Sequence, residues 1–210
     1  RVDRRQRQMC IRDRNSTIGY SANVIDCPPT LKDREETLQK VIDQTGASAM
    51  HPYNDMDVIE GNSTATMELL EDYPDLDAIF APIGGGGLIS GACLAAKYFS
   101  NAKVYGAEPK GADDAYRSFQ KGEIIPMVNP QTIADGLRTS LGEIGFEIMK
   151  THLDSIFTVS ESEIVSAMKW MWQKMKIIIE PSSAVPLAAL IKNHELFKDQ
   201  QVGIIISGGN

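Results

Sequence analysis

The stretch Pro82-Ile-Gly-Gly-Gly-Gly-Leu-Ile89 constrains this chain more than any other. Its four glycines stand between an apolar run, Asp77 to Ile83, and a small-residue apolar stretch, Leu88 to Phe99. Flexible glycine linkers sit among polar residues, whereas these glycines join two segments that read as buried. The pattern therefore predicts a strand, a tight turn and a helix. Glycine has no Cβ, so successive backbone N–H groups can converge on one anion. The positive end of the helix dipole falls at the same place. The stretch lacks the Gly-Lys-Ser/Thr of a nucleotide P-loop and the Gly-x-Gly-x-x-Gly spacing of a dinucleotide fingerprint. A smaller phosphate-bearing ligand is the occupant it predicts.

Along the rest of the chain, apolar strand-like runs alternate with helical patterns. Residues 22–27 read as a short strand stopped by Pro28-Pro29. Thr30 and Asp33 have capping-box spacing ahead of Leu31, Leu38, Val41 and Ile42, and Gly46 closes that helix. Ala47 to His51 reads as a second short strand. Asn62-Ser-Thr64 is expected to open a helix that Pro74 ends. Strands are then expected at 77–83, 103–108, 155–159 and 201–206, with helices at 88–100, 113–121, 142–152, after the capping box Ser160-Glu-Ser-Glu163, and from Glu180 to about His194. Trp170, Trp172 and the methionines of 168–175 are expected in the core. This alternation predicts an α/β fold, an open parallel sheet with helices on both faces. In such sheets ligands collect outside the carboxyl ends of the strands, and a second glycine break there, Ser207-Gly-Gly209, offers a hydroxyl.

Composition narrows the partners. A net charge of −7 argues against nucleic acid. No run approaches the roughly 20 apolar residues of a membrane span. Cys10, Cys27 and Cys93 have no disulfide or metal-ligand spacing, which fits a reducing, cytoplasmic setting. The first fourteen residues carry six Arg and two Asp without apolar periodicity. They lack the pattern of a transit peptide and are expected to be disordered or foreign to the fold.

From Asn15 onward the chain resembles the later two-thirds of the serine racemases and serine/threonine dehydratases, pyridoxal-phosphate enzymes of the tryptophan-synthase-β fold group. The resemblance is carried, in matching order, by Pro-Ile-Gly-Gly-Gly-Gly-Leu (82–88), Gly-Ala-Glu-Pro-Lys-Gly-Ala-Asp-Asp-Ala (106–115), Ile-Ala-Asp-Gly (133–136), Val-Ser-Glu-Ser-Glu-Ile (159–164), Ile-Glu-Pro-Ser-Ser-Ala (179–184) and Ile-Ser-Gly-Gly-Asn (206–210). It implies pyridoxal-phosphate fold type II, with residues 15–52 as part of a small domain and 53–210 as the large cofactor-binding domain.

The resemblance also implies roles. Gly84, Gly85, Gly86, Gly87 and the Leu88 amide would hold the phosphate of pyridoxal 5'-phosphate. Ser207 would meet the ring nitrogen and Glu180 would lie near the ring. Glu108, the Ala112 carbonyl and Asp114 match a divalent-cation site whose oxygen ligands suit Mg²⁺ or Ca²⁺; Asp77 corresponds to a second cation position, and Lys176 and Asn210 to nucleotide contacts. The implied substrate is a small amino acid and the implied assembly a homodimer. Implied activities are L-serine or L-threonine dehydration, serine racemisation, or threo-3-hydroxyaspartate ammonia-lyase chemistry. The cofactor-binding lysine and the acid/base serine fall upstream of residue 15 in the family, so the chain resembles a fragment without catalysis of its own.

Overall fold

Side chains of the segment Ala78–Pro82 alternate between two apolar layers, and the rest of the fold is built on them. Ile79 and Ala81 join one core, Ala78 and Phe80 the other, the two-residue period of a strand buried on both faces. The structure, a computed structural model, describes residues 14–28 and 31–209. The chain divides into two units, one ending at Ala49 and one beginning at Met50.

The first unit contains α1, helical over residues 14–19, and α2, Leu31–Thr45. Gly46, at φ 69°, ends α2 by donating its N–H to the Ile42 carbonyl, a left-handed stop that glycine adopts without strain. Arg14 pairs with Asp26 at 2.9 Å.

The second unit runs α3 (Met56–Asp72), β1 (Ala78–Pro82), α4 (Gly87–Phe99), β2 (Lys103–Pro109), α5 (Asp114–Lys121), α6 (Glu143–His152), β3 (Ser155–Val159), α7 (Glu161–Met175), α8 (Pro181–Lys192) and β4 (Val202–Ile204). Short 3₁₀ turns occupy Asp135–Leu137 and His194–Phe197. The strands pair in parallel in the order β3-β2-β1-β4. Their carboxyl ends therefore share one edge, where Pro82 lies beside Ala107 and Pro109 beside Val159. Leu70, Ile89, Cys93, Phe146 and Met149 from α3, α4 and α6 cover one face; Ile164, Met171, Val185 and Phe197 cover the other. The expected α/β sheet with helices on both faces is the observed one. Among the described residues no helix is long and apolar enough to cross a membrane.

Several local expectations are corrected. Residues 22–27 and 47–51 form no strand; a strand exists only with a partner to take its hydrogen bonds, and no local pattern reveals whether one is available. Helix α3 begins at Met56 rather than at Asn62, because the Asp55 side chain accepts the Asp57 amide as an N-cap and Ile59 packs at 0% exposure. Trp170 and Trp172 are not core: they are 43% and 64% exposed. The buried stripe of α7 is Ile164, Ala167 and Met171, whose three- and four-residue spacing leaves both tryptophans outside it. The basic amino terminus lies outside the described residues up to Asp13, as do Thr30 and Asn210.

Candidate functional site

β1 runs out at Pro82 and the glycine block turns the chain directly into α4. Gly86 holds φ 94° and ψ −8°, a left-handed conformation that a residue with a Cβ adopts only with strain. A Cβ on Gly85 would run into the ring of Tyr53. The loop carbonyls are used internally: Gly85 O accepts the Gly142 amide at 3.0 Å and Gly86 O accepts the Ser90 amide at 3.0 Å. The amides of Gly84, Gly85, Gly86, Gly87 and Leu88 have no carbonyl or side-chain acceptor among the described residues, although Gly85, Gly86 and Gly87 are buried. Buried amides are almost always paired; five consecutive donors instead stand open at the start of α4, the end of a helix whose dipole favours negative charge.

A chain of close contacts leads from the glycine turn to Ser207. A Cβ on Gly84 would sit 2.9 Å from the Gly136 carbonyl, and one on Gly136 would sit 3.0 Å from Ser182 Oγ. The Ser182 hydroxyl is buried with no partner among the described residues. The next residue, Ser183, is fully buried, and its Oγ lies 3.0 Å from Ser207 Oγ. Glu180 caps the start of α8; its amide donates to the Gly208 carbonyl at 3.2 Å, and a Cβ on Gly208 would lie 3.0 Å from Glu180 Oε2. The glycine block, Ser207 and Glu180 are thus brought together. Ser182 and Ser183 were missed in the sequence; the signal was two small hydroxyl residues at the opening of a helix.

A second cluster lies at the end of β2. Glu108 is buried, with Oε1 accepting the Ala115 amide at 3.2 Å and Oε2 the Tyr116 amide at 2.7 Å. Asp114 Oδ2 accepts the Leu141 amide at 3.1 Å, while its Oδ1 is buried without a partner among the described residues. Burial raises the Glu108 pKa well above the carboxylate range; the Tyr116 amide opposes this and the Asp114 charge adds to it. Burial likewise raises Asp114 to about 6, against the Leu141 amide. The Arg117 charge also opposes the rise at Asp114, but Arg117 is paired with Asp113 at 2.8 Å, whose own charge adds to the rise at Glu108. Among the described residues, no amide donates to the Ala112 carbonyl, and no group of three or more His, Cys, Asp or Glu converges. A cation here would take its remaining ligands from that carbonyl and water, which suits a hard, oxygen-seeking ion.

Other residues fall elsewhere. Asp77 sits at the opposite end of β1, where its Oδ2 accepts the Gln201 amide at 2.8 Å. Lys176 holds φ 61° and bonds the Gln173 carbonyl at 2.8 Å. Lys97 is exposed in the last turn of α4, about 15 Å along the helix from Gly87 at 1.5 Å per residue.

The model of the pyridoxal-phosphate dependent enzymes matches residues 9–208. The chain is 48% identical over 192 residues to β-hydroxyaspartate dehydratase of Paracoccus denitrificans (strain Pd 1222), covering 91% of this chain and 61% of that protein. It is 49% identical over 203 residues to serine racemase of Dictyostelium discoideum, covering 93% and 62%. The crystal structure of the latter superposes with a TM-score of 0.88, at 49% identity and over 93% of this chain and 64% of that one. The chain thus spans about three-fifths of the length of these relatives. Matched by that family model over residues 9–208, the chain belongs to the family of pyridoxal-phosphate dependent enzymes.

Proposed function

We propose that this chain is the cofactor-holding part of an ammonia-lyase that converts a small β-hydroxy amino acid, L-serine or L-threonine, into a 2-oxo acid and ammonia. The observation that carries the reading is the row of five acceptor-free amides, Gly84 to Leu88, on one wall with Ser207. The similarity to a dehydratase of a hydroxylated amino acid supports it. When bound, pyridoxal phosphate supplies an electron sink for the pair released at the amino-acid Cα.

The amides of Gly84 to Leu88 would bind the phosphate dianion, helped by the dipole of α4. Ser207 would face the ring nitrogen as a neutral hydroxyl. Unlike a carboxylate, it would not hold a proton on that nitrogen, so the bound cofactor would be a weaker electron sink, which suits loss of the β-hydroxyl or a quick return of the proton to Cα. Glu180 would stand beside the ring. Glu108, the Ala112 carbonyl and Asp114 would hold Mg²⁺ or Ca²⁺. The charge of that ion would offset the two buried carboxylates and steady Leu141, whose side chain packs towards Gly86.

Serine racemisation is the second reading, supported by 49% identity to a serine racemase. Both readings use the same wall and share removal of the α-proton; in dehydration the β-hydroxyl then leaves, in racemisation a proton is returned to Cα on the opposite face. The parent protein, supplied with cofactor and Mg²⁺, is assayed side by side on L-serine, L-threonine and threo-3-hydroxyaspartate for oxo acid, ammonia and D-isomer. Oxo acid from serine or threonine supports the first reading, and D-serine in excess of oxo acid supports the second. A folded parent that yields neither overturns both.

A further inference from the structure

Three bonds meet at one hydroxyl beside the strand end. Ser183 Oγ accepts the Gly208 amide at 2.7 Å, lies 2.8 Å from the Gly208 carbonyl and 3.0 Å from Ser207 Oγ. A serine hydroxyl has one proton and two lone pairs, so these contacts use its whole capacity. If the Ser183 proton goes to the Gly208 carbonyl, Ser207 must donate to Ser183, and only Ser207 lone pairs face outward. If it goes to Ser207, the Ser207 proton faces outward instead. In either state the Ser207 rotor is pinned and presents one polarity at a time.

Among the described residues, no other side chain bonds the Ser207 hydroxyl. β4 ends at Ile204, and beyond it the chain is tied by the Ile205 amide on the Phe80 carbonyl and by the Glu180 amide on Gly208. Ser207 itself is exposed, while Ser183 is fully buried in the first turn of α8. A residue without a hydroxyl at 183 would orphan the Gly208 amide and free the Ser207 side chain.

Resting on the cofactor reading above, we propose that Ser183 is a positioning residue: through its single hydroxyl it fixes Ser207 against the ring nitrogen of the cofactor and sets whether Ser207 donates or accepts there.

The test uses the full chain with Ser183→Ala, Ser207→Ala and the double variant. Without cofactor, amide exchange at Gly208 should quicken about tenfold in Ser183→Ala, the scale of one ordinary hydrogen bond. With pyridoxal phosphate labelled at the ring nitrogen, the ¹⁵N signal should move in Ser183→Ala, and affinity should fall about tenfold. Affinity for inorganic phosphate, which reports the glycine cradle, should not change. The double variant should bind pyridoxal phosphate no more weakly than Ser207→Ala, since residues acting as one unit are not additive. Unchanged Gly208 exchange, an unmoved ¹⁵N signal, or additive losses each overturn the inference; Ser207→Ala, with the buried position intact, keeps the comparison valid if Ser183→Ala folds poorly. If the unsubstituted chain binds neither pyridoxal phosphate nor inorganic phosphate, it is the cofactor reading that falls.

Discussion

Asn54 Oδ1 accepts the backbone amide of Ile144 at 2.9 Å, ninety residues away in sequence. The bond caps the first turn of α6 from the loop that precedes α3. His51 Nδ1 holds that loop by accepting the Asn54 amide at 2.9 Å, and Gly142, the N-cap of α6, donates to the Gly85 carbonyl at 3.0 Å. Asn54 therefore supports the glycine turn at one remove. Asn54→Ala should cost about 1–2 kcal/mol of stability, the usual scale of a lost cap. It should also weaken inorganic phosphate binding several-fold. Denaturant unfolding and phosphate titration by calorimetry read the two effects.

Tyr53 and Gly85 make a second contact in the same loop. The ring occupies the space that a Cβ on Gly85 would need. Gly85→Ala should destabilise by about 1–3 kcal/mol, as expected when a methyl is forced into filled space. Tyr53→Ala opens that space, so the double variant should lose less than the sum of the single ones. An additive result in a double-mutant cycle would count against the contact.

What was legible in the sequence was what local chemistry determines. The turn of β1 into α4 follows from four glycines between apolar runs. The end of α2 follows from Gly46, and the start of α7 from Ser160 and Glu163. What was not legible depends on partners distant in sequence. Residues 22–27 have strand composition but no strand pairing. Trp170 and Trp172 are apolar, yet the helix turns Ile164, Ala167 and Met171 inward instead. The Ser183 contact depends on a strand end 24 residues later, which no spacing rule encodes.

Asp114 Oδ1 is buried without a partner among the described residues, and Glu108 lies beside it in the same cluster. Millimolar Mg²⁺ or Ca²⁺ should therefore raise the Tm of this chain by a few degrees, because an ion that binds only the folded state stabilises it by mass action. Asp114→Asn should remove that response without unfolding the protein. Differential scanning fluorimetry with EDTA as the control checks both, and a response that persists in Asp114→Asn would place the ion elsewhere.

Glu163 closes the capping box of α7. Its Oε2 accepts the Ser160 amide at 2.7 Å, and the Glu163 amide donates to Ser160 Oγ at 3.4 Å. The Ser160 amide is the main cause holding the Glu163 pKa below its usual value, with Lys192 adding to it. A carboxyl depressed in the folded state binds its proton more readily when unfolded, so the slope of stability against pH is positive through that range. The contribution is complete above the ordinary glutamate value of about 4.3 and is lost as pH falls through the lower folded value. Glu163→Ala should lower the Tm by a few degrees at pH 7, and the gap from the unsubstituted chain should narrow as pH drops below about 4. Thermal melts across pH 3 to 7 measure the gap directly; a gap independent of pH would mean that packing, not the ionised cap, accounts for the loss.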